Sequence, residues 1–405
     1  MSQAAPTSEW PQRPQALEAL GRRDFTAARD WCEQWSQAHP QDPQAWIHLA
    51  LACRGLNDDE AEERALTQAL TADTHDLMAL LMRGHLYERQ GKRHQAARTY
   101  QAVRMVAPPL HQLVEHLRPG VARAIDFSER YHQDYARTVD EVLAREAQQA
   151  QEAQGGMDLQ GADLDRFRLS IDLLLGRKPR YESRPLGYFV PQLAPVEFFD
   201  RKLFPWLEAV EAATEQVRDE FLQVLEQDSG FVPYVRQGRD EPLAQWAELN
   251  HSLRWSAFHL LKEGVPVPGN AERCPKTLAM LAQTPQPVQS GRTPVALFSA
   301  LKPHTHIPPH TGISNARLLT HLPLIVPPHC QFRVGNSVRS WVPGQAWVFD
   351  DTIEHEARND SDELRVILIF DVWHPALSEA EKRMISALAR AQDAFMGGAI
   401  DNYSS

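Results

Sequence analysis

Seven of the 17 histidines fall between His304 and His374: His304, His306, His310, His321, His329, His355 and His374. A neutral imidazole can hold a transition metal through one ring nitrogen, so metal chemistry is the first reading of such a cluster. His310 follows a proline-stiffened loop, HIPPHTG, and His355 follows FDDTIEH, each next to an apolar run that reads as a strand. Two imidazoles 45 residues apart on neighbouring strands can share one metal ion. Surface or hydrogen-bonded histidines are the alternative for any one of them taken singly.

Arginine placement adds independent weight. Arg365 opens RVILIFDVW, and strand alternation puts Ile367 and Ile369 on its face, with Val366, Leu368 and Phe370 on the other. On ARLLTHLPLIV the same alternation groups Arg317, Leu319 and His321. A guanidinium on an apolar strand face must be paired when buried, and its planar fork suits a carboxylate. That carboxylate belongs either to a ligand or to Asp350, Asp351 or Asp371. In the first case two arginines and two or three histidines converge in one barrel mouth.

The elements that must position these groups emerge from the rest of the chain. Its 405 residues are enough for two or three domains, and 43% hydrophobic with 23% charged residues is a globular composition. The net charge of −11, without a long Lys/Arg block, argues against nucleic acid or an anionic membrane as partner. Cys32, Cys53, Cys274 and Cys330 are scattered with no CxxC pair, which predicts reduced thiols in the cytoplasm and argues against a cysteine zinc site. The start, MSQAAPTSEWPQRPQ, lacks a basic-then-apolar leader, and no 18-residue apolar run occurs, so a soluble, unexported protein without a membrane span is expected.

From about Pro11 to Pro109 the chain is rich in Ala, Leu, Gln and Arg and repeats with a period of 34. Trp46, Ala50, Cys53, Leu66 and Ala69 recur as Leu80, Gly84, Tyr87, Tyr100 and Val103; Ala28, Cys32, Trp35 and Pro40 precede Glu62, Leu66, Ala69 and Thr74 by the same interval. This pattern resembles tetratricopeptide repeats, helix pairs that bury their apolar faces only by stacking. It implies either a concave surface for a peptide or partner, or a plain helical spacer. Residues 111–180 read as a helical linker, polar through AREAQQAQEAQGG to Gly155 and Gly156. The third segment, 181–405, opens with prolines and aromatics and one amphipathic helix from Pro205 to about Gln227. Short runs then follow, VALFSAL, ARLLTHLPLIV, QFRVG, QAWVFD and LRVILIFDVW, which predict a β-sandwich or barrel. SEAE at Ser378–Glu381 is a capping box that opens a C-terminal helix expected to pack on the barrel.

Over roughly Pro185 to Leu377 the sequence resembles the aspartyl/asparaginyl β-hydroxylases, iron(II)- and 2-oxoglutarate-dependent dioxygenases. WSAFHLL (Trp255 to Leu261), CPKT (Cys274 to Thr277), HTHIPPHTGISNARLLTHLPLIVP (His304 to Pro327) and WVFDDTIEHEARNDSDELRVILIFDVWHP (Trp347 to Pro375) carry the likeness. The resemblance implies a double-stranded β-helix (jelly-roll, cupin-like) oxygenase domain behind the helical repeats, an α+β multidomain chain. It places the iron ligands on His310 and His355, and the distal carboxylate of 2-oxoglutarate on Ser299 and Arg365. His321 falls near the metal-chelating end and Arg317 on the substrate side, with His310, His355 and Arg365 as the catalytic set.

Two departures stand out. Most non-haem iron oxygenases carry a carboxylate two residues after the first histidine, and here that position is Gly312. Spacing alone suggests Asp351 as a substitute, whereas the resemblance implies two protein ligands and water in the third place, with Asp351 behind them. Some members also have a second arginine where this chain has Leu319, which weakens the case for an acidic substrate. The expected activity is hydroxylation of an Asp or Asn side chain in a peptide or protein. Hydroxylation of lipid A acyl chains, or an inactive adaptor, are the rivals. His304, His306, His329 and His374 are expected to be structural or exposed.

Overall fold

The computed structural model describes residues 10–152, 164–227, 229–238, 244–289 and 291–396, and forms two compact units, Met1–Leu175 and Gly176–Ser405. The first contains the helices α1 (Arg13–Gly21), α2 (Phe25–Ala38), α3 (Pro43–Gly55), α4 (Asp59–Ala72), α5 (Leu77–Arg89), α6 (Arg93–Val106), α7 (Arg118–Glu152) and α8 (Asp165–Leu174). The starts of α2, α4 and α6 lie 34 residues apart, as do those of α3 and α5. Asp24, Asp42, Asp58 and Asp76 cap α2, α3, α4 and α5 by accepting backbone N–H bonds in the first turn. The residues that recur in sequence form the buried seam: Cys32, Trp35, Ala50, Cys53, Leu66, Ala69, Leu80, Tyr100 and Val103 belong to one core. Glu62, fully buried on this seam, is held by Arg89 at 2.6 Å. Within residues 111–180, α7 buries Val121 and Ala124 against the last repeat; Gly155 and Gly156 lie outside the described residues.

In the second unit the helices α9 (Leu207–Ala212), α10 (Thr214–Glu226), α11 (Pro275–Leu281) and α12 (Glu379–Met396) flank eleven strands. These are β1 (Val232–Pro233), β2 (Trp255–Lys262), β3 (Val265–Pro266), β4 (Ala296–Leu301), β5 (Thr305–His310), β6 (Arg317–Ile325), β7 (Cys330–Val334), β8 (Ser337–Arg339), β9 (Trp347–Phe349), β10 (His355–Asn359) and β11 (Arg365–Trp373). One antiparallel sheet has the order β1-β2-β4-β11-β6-β9, with β3 beside β2; the other has the order β5-β10-β7-β8. From β4 onward the chain passes back and forth between the two sheets, the winding of a jelly-roll. Val366, Leu368, Phe370 and Val372 pack toward Val217, Phe221 and Val224 of α10, while Ile367 joins Phe332, Ala357 and Ile307 between the sheets. With both faces of β11 covered, the run is apolar without interruption except where chemistry requires otherwise.

Two local expectations are corrected. The helix expected from Pro205 to about Gln227 is two helices, broken at Ala213. There Thr214 Oγ1 donates to the Glu211 carbonyl (2.6 Å), and the Glu211 carboxylate is drawn to the Ala346 N–H (2.9 Å). HIPPHTG, expected as a loop, supplies most of β5. Pro308 and Pro309 are tolerated because β5 is a sheet edge and they sit at a bulge opposite His355–Ala357. The Ser378 capping box forms as expected, with Glu381 accepting from the Ser378 N–H (2.8 Å) and hydroxyl (2.7 Å).

Gly84 shows how tightly the first unit is packed, since a Cβ there would lie 2.2 Å from the Tyr100 ring. Gly84→Ala is therefore expected to lower the stability of the first unit by about 1–3 kcal/mol in denaturant unfolding. An unchanged midpoint would mean that the Tyr100 ring swings away at no cost.

Candidate functional site

Six residues singled out by sequence, Ser299, His310, Arg317, His321, His355 and Arg365, line a single cavity of about 120 Å³ between the two sheets. Pairing explains the convergence. His310 ends β5 and His355 begins β10, and the two are direct partners in that antiparallel pair, with ring centroids 4.1 Å apart. On the facing sheet, Arg365, Ile367 and Ile369 point into the cavity, and Ile369 is level with His321, two rows nearer the middle than Arg317.

Both imidazoles of the pair are oriented alike. His310 Nδ1 bonds the Pro308 carbonyl (2.7 Å) and His355 Nδ1 bonds the Ile353 carbonyl (3.0 Å). A carbonyl only accepts, so each Nδ1 carries the proton and each Nε2 keeps its lone pair. Burial lowers the His310 pKa to about 3, with repulsion from His355 adding to it, and lowers that of His355 to about 4. Both rings are neutral at physiological pH, the form that binds metal. His321 has the opposite tautomer. Trp341 Nε1 donates to its Nδ1 (3.3 Å), which leaves Nε2 protonated, and burial followed by Arg365 holds its pKa well below the usual value.

At the deep end Arg365 is 1% exposed. Its Nη1 lies 3.4 Å from both the carbonyl oxygen and Oγ of Ser299, its guanidinium stacks 4.9 Å from the Trp341 ring centre, and its Nε has no hydrogen-bond partner. Among the described residues no carboxylate pairs with it, and burial pulls its pKa down to about 10. Trp255 Nε1 donates to Ser299 Oγ (3.1 Å) and orients that hydroxyl.

The other arginine differs. Arg317 Nη2 lies 3.7 Å from Asp351 Oδ2, so the ion pair expected as an alternative exists at Arg317 and not at Arg365. Asp351 also fills the space beside Gly312: a Cβ at Gly312 would lie 2.0 Å from Asp351 Oδ2. The carboxylate that spacing sought two residues after His310 is thus replaced by one from the other strand end, and it faces Arg317. Among the described residues, no set of three His, Cys, Asp or Glu side chains converges on one metal position. His304 is exposed beside Asp362, His306 bonds Glu356 (2.7 Å), and His374 is buried against Phe199. His329 is exposed, in a left-handed turn with φ of 64°. Sequence reasoning missed the aromatic wall. Tyr234 stacks on Trp255 at 3.8 Å, and Trp246 meets His310 edge-on at 5.2 Å. Only Trp255, inside WSAFHLL, carried a signal.

Residues 211–375 match the family model for aspartyl/asparaginyl beta-hydroxylase. An ornithine lipid ester-linked acyl 2-hydroxylase from Rhizobium tropici is 35% identical over 49% of this chain and 67% of its own. This chain belongs to the aspartyl/asparaginyl β-hydroxylase family. The mouse aspartyl/asparaginyl beta-hydroxylase is 34% identical over 53% of this chain and 30% of its own length, so the chain spans less than a third of that relative. A solved cupin 2 conserved barrel domain protein from Salinispora arenicola, 12% identical over 38% of this chain and 99% of its own with a TM-score of 0.21, is too distant to add to the argument. For this β-hydroxylase family member the matched stretch, 211–375, takes in all six of the cavity residues named above.

Asp371 lies on the inner face of β11, fully buried, with Oδ1 accepting from the Val295 N–H (2.9 Å). Burial raises its pKa from 3.8 to about 7, against the opposing pull of Arg317. Unfolding between those values releases a proton, so this group costs stability as pH rises from about 4 to 7, fully so above 7. Asp371→Asn keeps the acceptor and removes the titration. It is expected to gain about 2 kcal/mol more stability over the native protein at pH 8 than at pH 5 in urea unfolding, and equal gains would contradict the burial of a titrating carboxyl.

Proposed function

We propose that the protein is an iron(II)- and 2-oxoglutarate-dependent hydroxylase. The observation that carries this reading is the pairing of two neutral imidazoles, each with its Nδ1–H fixed on a carbonyl, with a buried guanidinium that no described carboxylate satisfies. His310 and His355 would hold the metal through Nε2. Arg365, with Ser299 Oγ beside it, would take the distal carboxylate of 2-oxoglutarate, and His321, protonated at Nε2, would donate toward its chelating end. When bound, the iron, 2-oxoglutarate and O2 supply the oxidising equivalents for C–H hydroxylation, with succinate and CO2 as co-products. The protein's part is geometric. Phe332, Phe349 and Trp341 close the walls around His321 and exclude water, and Arg317 with Asp351 lies on the side from which the prime substrate enters.

The substrate in this reading is an Asp or Asn side chain of a peptide or protein. The N-terminal helix pairs, tetratricopeptide-like in period, would recruit it. A second reading, hydroxylation of a fatty acyl chain, is favoured by the apolar lining at Leu319, Ile367 and Ile369 and by the Rhizobium relative's name. An inactive adaptor is disfavoured, because every polar group the chemistry needs is present. Four buried cysteines without a disulfide accord with a cytoplasmic site of action.

The test is turnover of 2-oxoglutarate to succinate with iron(II), followed by mass spectrometry of candidate peptides and lipids for one added oxygen. Succinate formation that depends on iron is expected, and its absence in the folded protein would overturn the proposal. Arg365→Ala should raise the apparent KM for 2-oxoglutarate about 100-fold while metal binding persists, as loss of a bidentate charged contact does. An unchanged KM would remove Arg365 from this role.

A further inference from the structure

A second cavity of about 240 Å³ adjoins the first, and Tyr234, Val295 and Leu297 line both. Beside Tyr234 and Asn270 its polar lining is basic, Arg236, His259 and Lys262, and no carboxylate lines it among the described residues. His259 stands on the same inward row as the catalytic groups. It is level with Leu297 on β4, which is level with Ile369 on β11, which is level with His321 on β6. The row therefore runs from the oxygenase cavity to the sheet margin at β2 and ends on an imidazole.

That imidazole is incompletely satisfied. His259 Nδ1 is buried with no hydrogen-bond partner, while its backbone carbonyl is held by Asn270 Nδ2 at 3.0 Å. Arg236 is tethered through Nε to the Pro233 carbonyl (3.2 Å), and Lys262 pairs with its half-buried neighbour Glu263 at 3.1 Å. Burial lowers the His259 pKa to about 4, with Lys262 and then Arg236 adding to it, so both cations act on the ring. The loop before β1 closes on the pocket through Gly230, at φ 93°, where a Cβ would lie 2.7 Å from Asn270 Oδ1 and 2.6 Å from the Phe258 ring. Three nitrogen-bearing side chains around a concave space, with no described carboxylate lining it, attract an anion.

The main cavity explains why such a group would be needed. On its substrate side Arg317 is already committed to Asp351, and the next position inward is Leu319. Positive potential free to meet a substrate is therefore displaced to the adjoining pocket. We propose that Arg236, Lys262 and His259 form an anion-binding subsite that takes a carboxylate or phosphate group of the substrate while its apolar part extends into the oxygenase cavity. The role as substrate anchor rests on the hydroxylase reading; the binding of anions does not.

The test follows the ring resonances of His259 by NMR in the full-length, metal-free protein with labelled histidine, assigned with His259→Gln. The probes are inorganic phosphate, acetate and hexanoate. Saturable shifts are expected with phosphate or acetate, weakened about tenfold in the Arg236→Ala/Lys262→Ala double variant and retained in Arg365→Ala, where the deep anion site is lost. Absence of a saturable shift, or an unchanged affinity in the double variant, would overturn the subsite. Hexanoate should bind about tenfold more tightly than acetate at the same resonances, since its chain enters the neighbouring apolar cavity. Equal affinities would overturn the anchoring role. None of these readouts needs iron or turnover, so failure of the hydroxylase reading would be seen separately, as absence of succinate.

Discussion

A positive charge buried on an apolar strand is the constraint around which the second unit is arranged. Arg365 is enclosed on β11 with a hydroxyl, a carbonyl and an indole face for company, and none of these neutralises it. Taking an unpaired guanidinium out of water costs several kcal/mol, which the lowered pKa of about 10 records. A fold keeps such a group only where the surrounding packing outweighs the penalty. Here β11 is the central strand, hydrogen-bonded on both sides to β4 and β6 and buried on both faces. That pairing and burial offset the penalty of holding the arginine without a described charged partner.

The opposite end of the cavity is organised by a different compromise. Gly312 lacks a side chain so that the Asp351 carboxylate can enter, and the backbone there is closed by the Gly312 N–H donating to the Asp351 carbonyl (2.6 Å). Arg317 answers the charge at Asp351 and also acts on Asp371. The carboxylate expected beside the first histidine has in effect moved to the second strand end, and its oxygen faces a cation rather than the histidine pair. The imidazoles are left with fixed tautomers, and no described carboxylate joins them at one metal position. Such an arrangement keeps their lone pairs available across the physiological pH range.

Much of this was legible in the sequence because strands have a period of two. Arg365 with Ile367 and Ile369, and Arg317 with Leu319 and His321, could be assigned to faces from alternation alone, and the structure puts all six on the cavity. The 34-residue period likewise read through to the helix starts. What alternation does not encode is register. That His310 sits opposite His355 depends on a bulge at Pro308 and Pro309, residues that read as a loop because proline rarely enters a strand. The break at Ala213 depends on Glu211 reaching Ala346, a contact 135 residues away. The basic pocket was equally hidden, since Arg236 belongs to a different stretch from His259 and Lys262 of β2, and the pairing of β1 with β2 brings them together.

The central claim is that the histidine pair and the arginine fork together form one binding site for iron(II) and a keto acid. Adding iron(II) and then 2-oxoglutarate to metal-free protein without oxygen, while recording the visible absorption spectrum, tests it without knowledge of the prime substrate. A charge-transfer band that appears in the native protein and is missing in folded His310→Ala is the predicted result. A folded native protein that shows no band, or a band that survives the loss of His310, would contradict it.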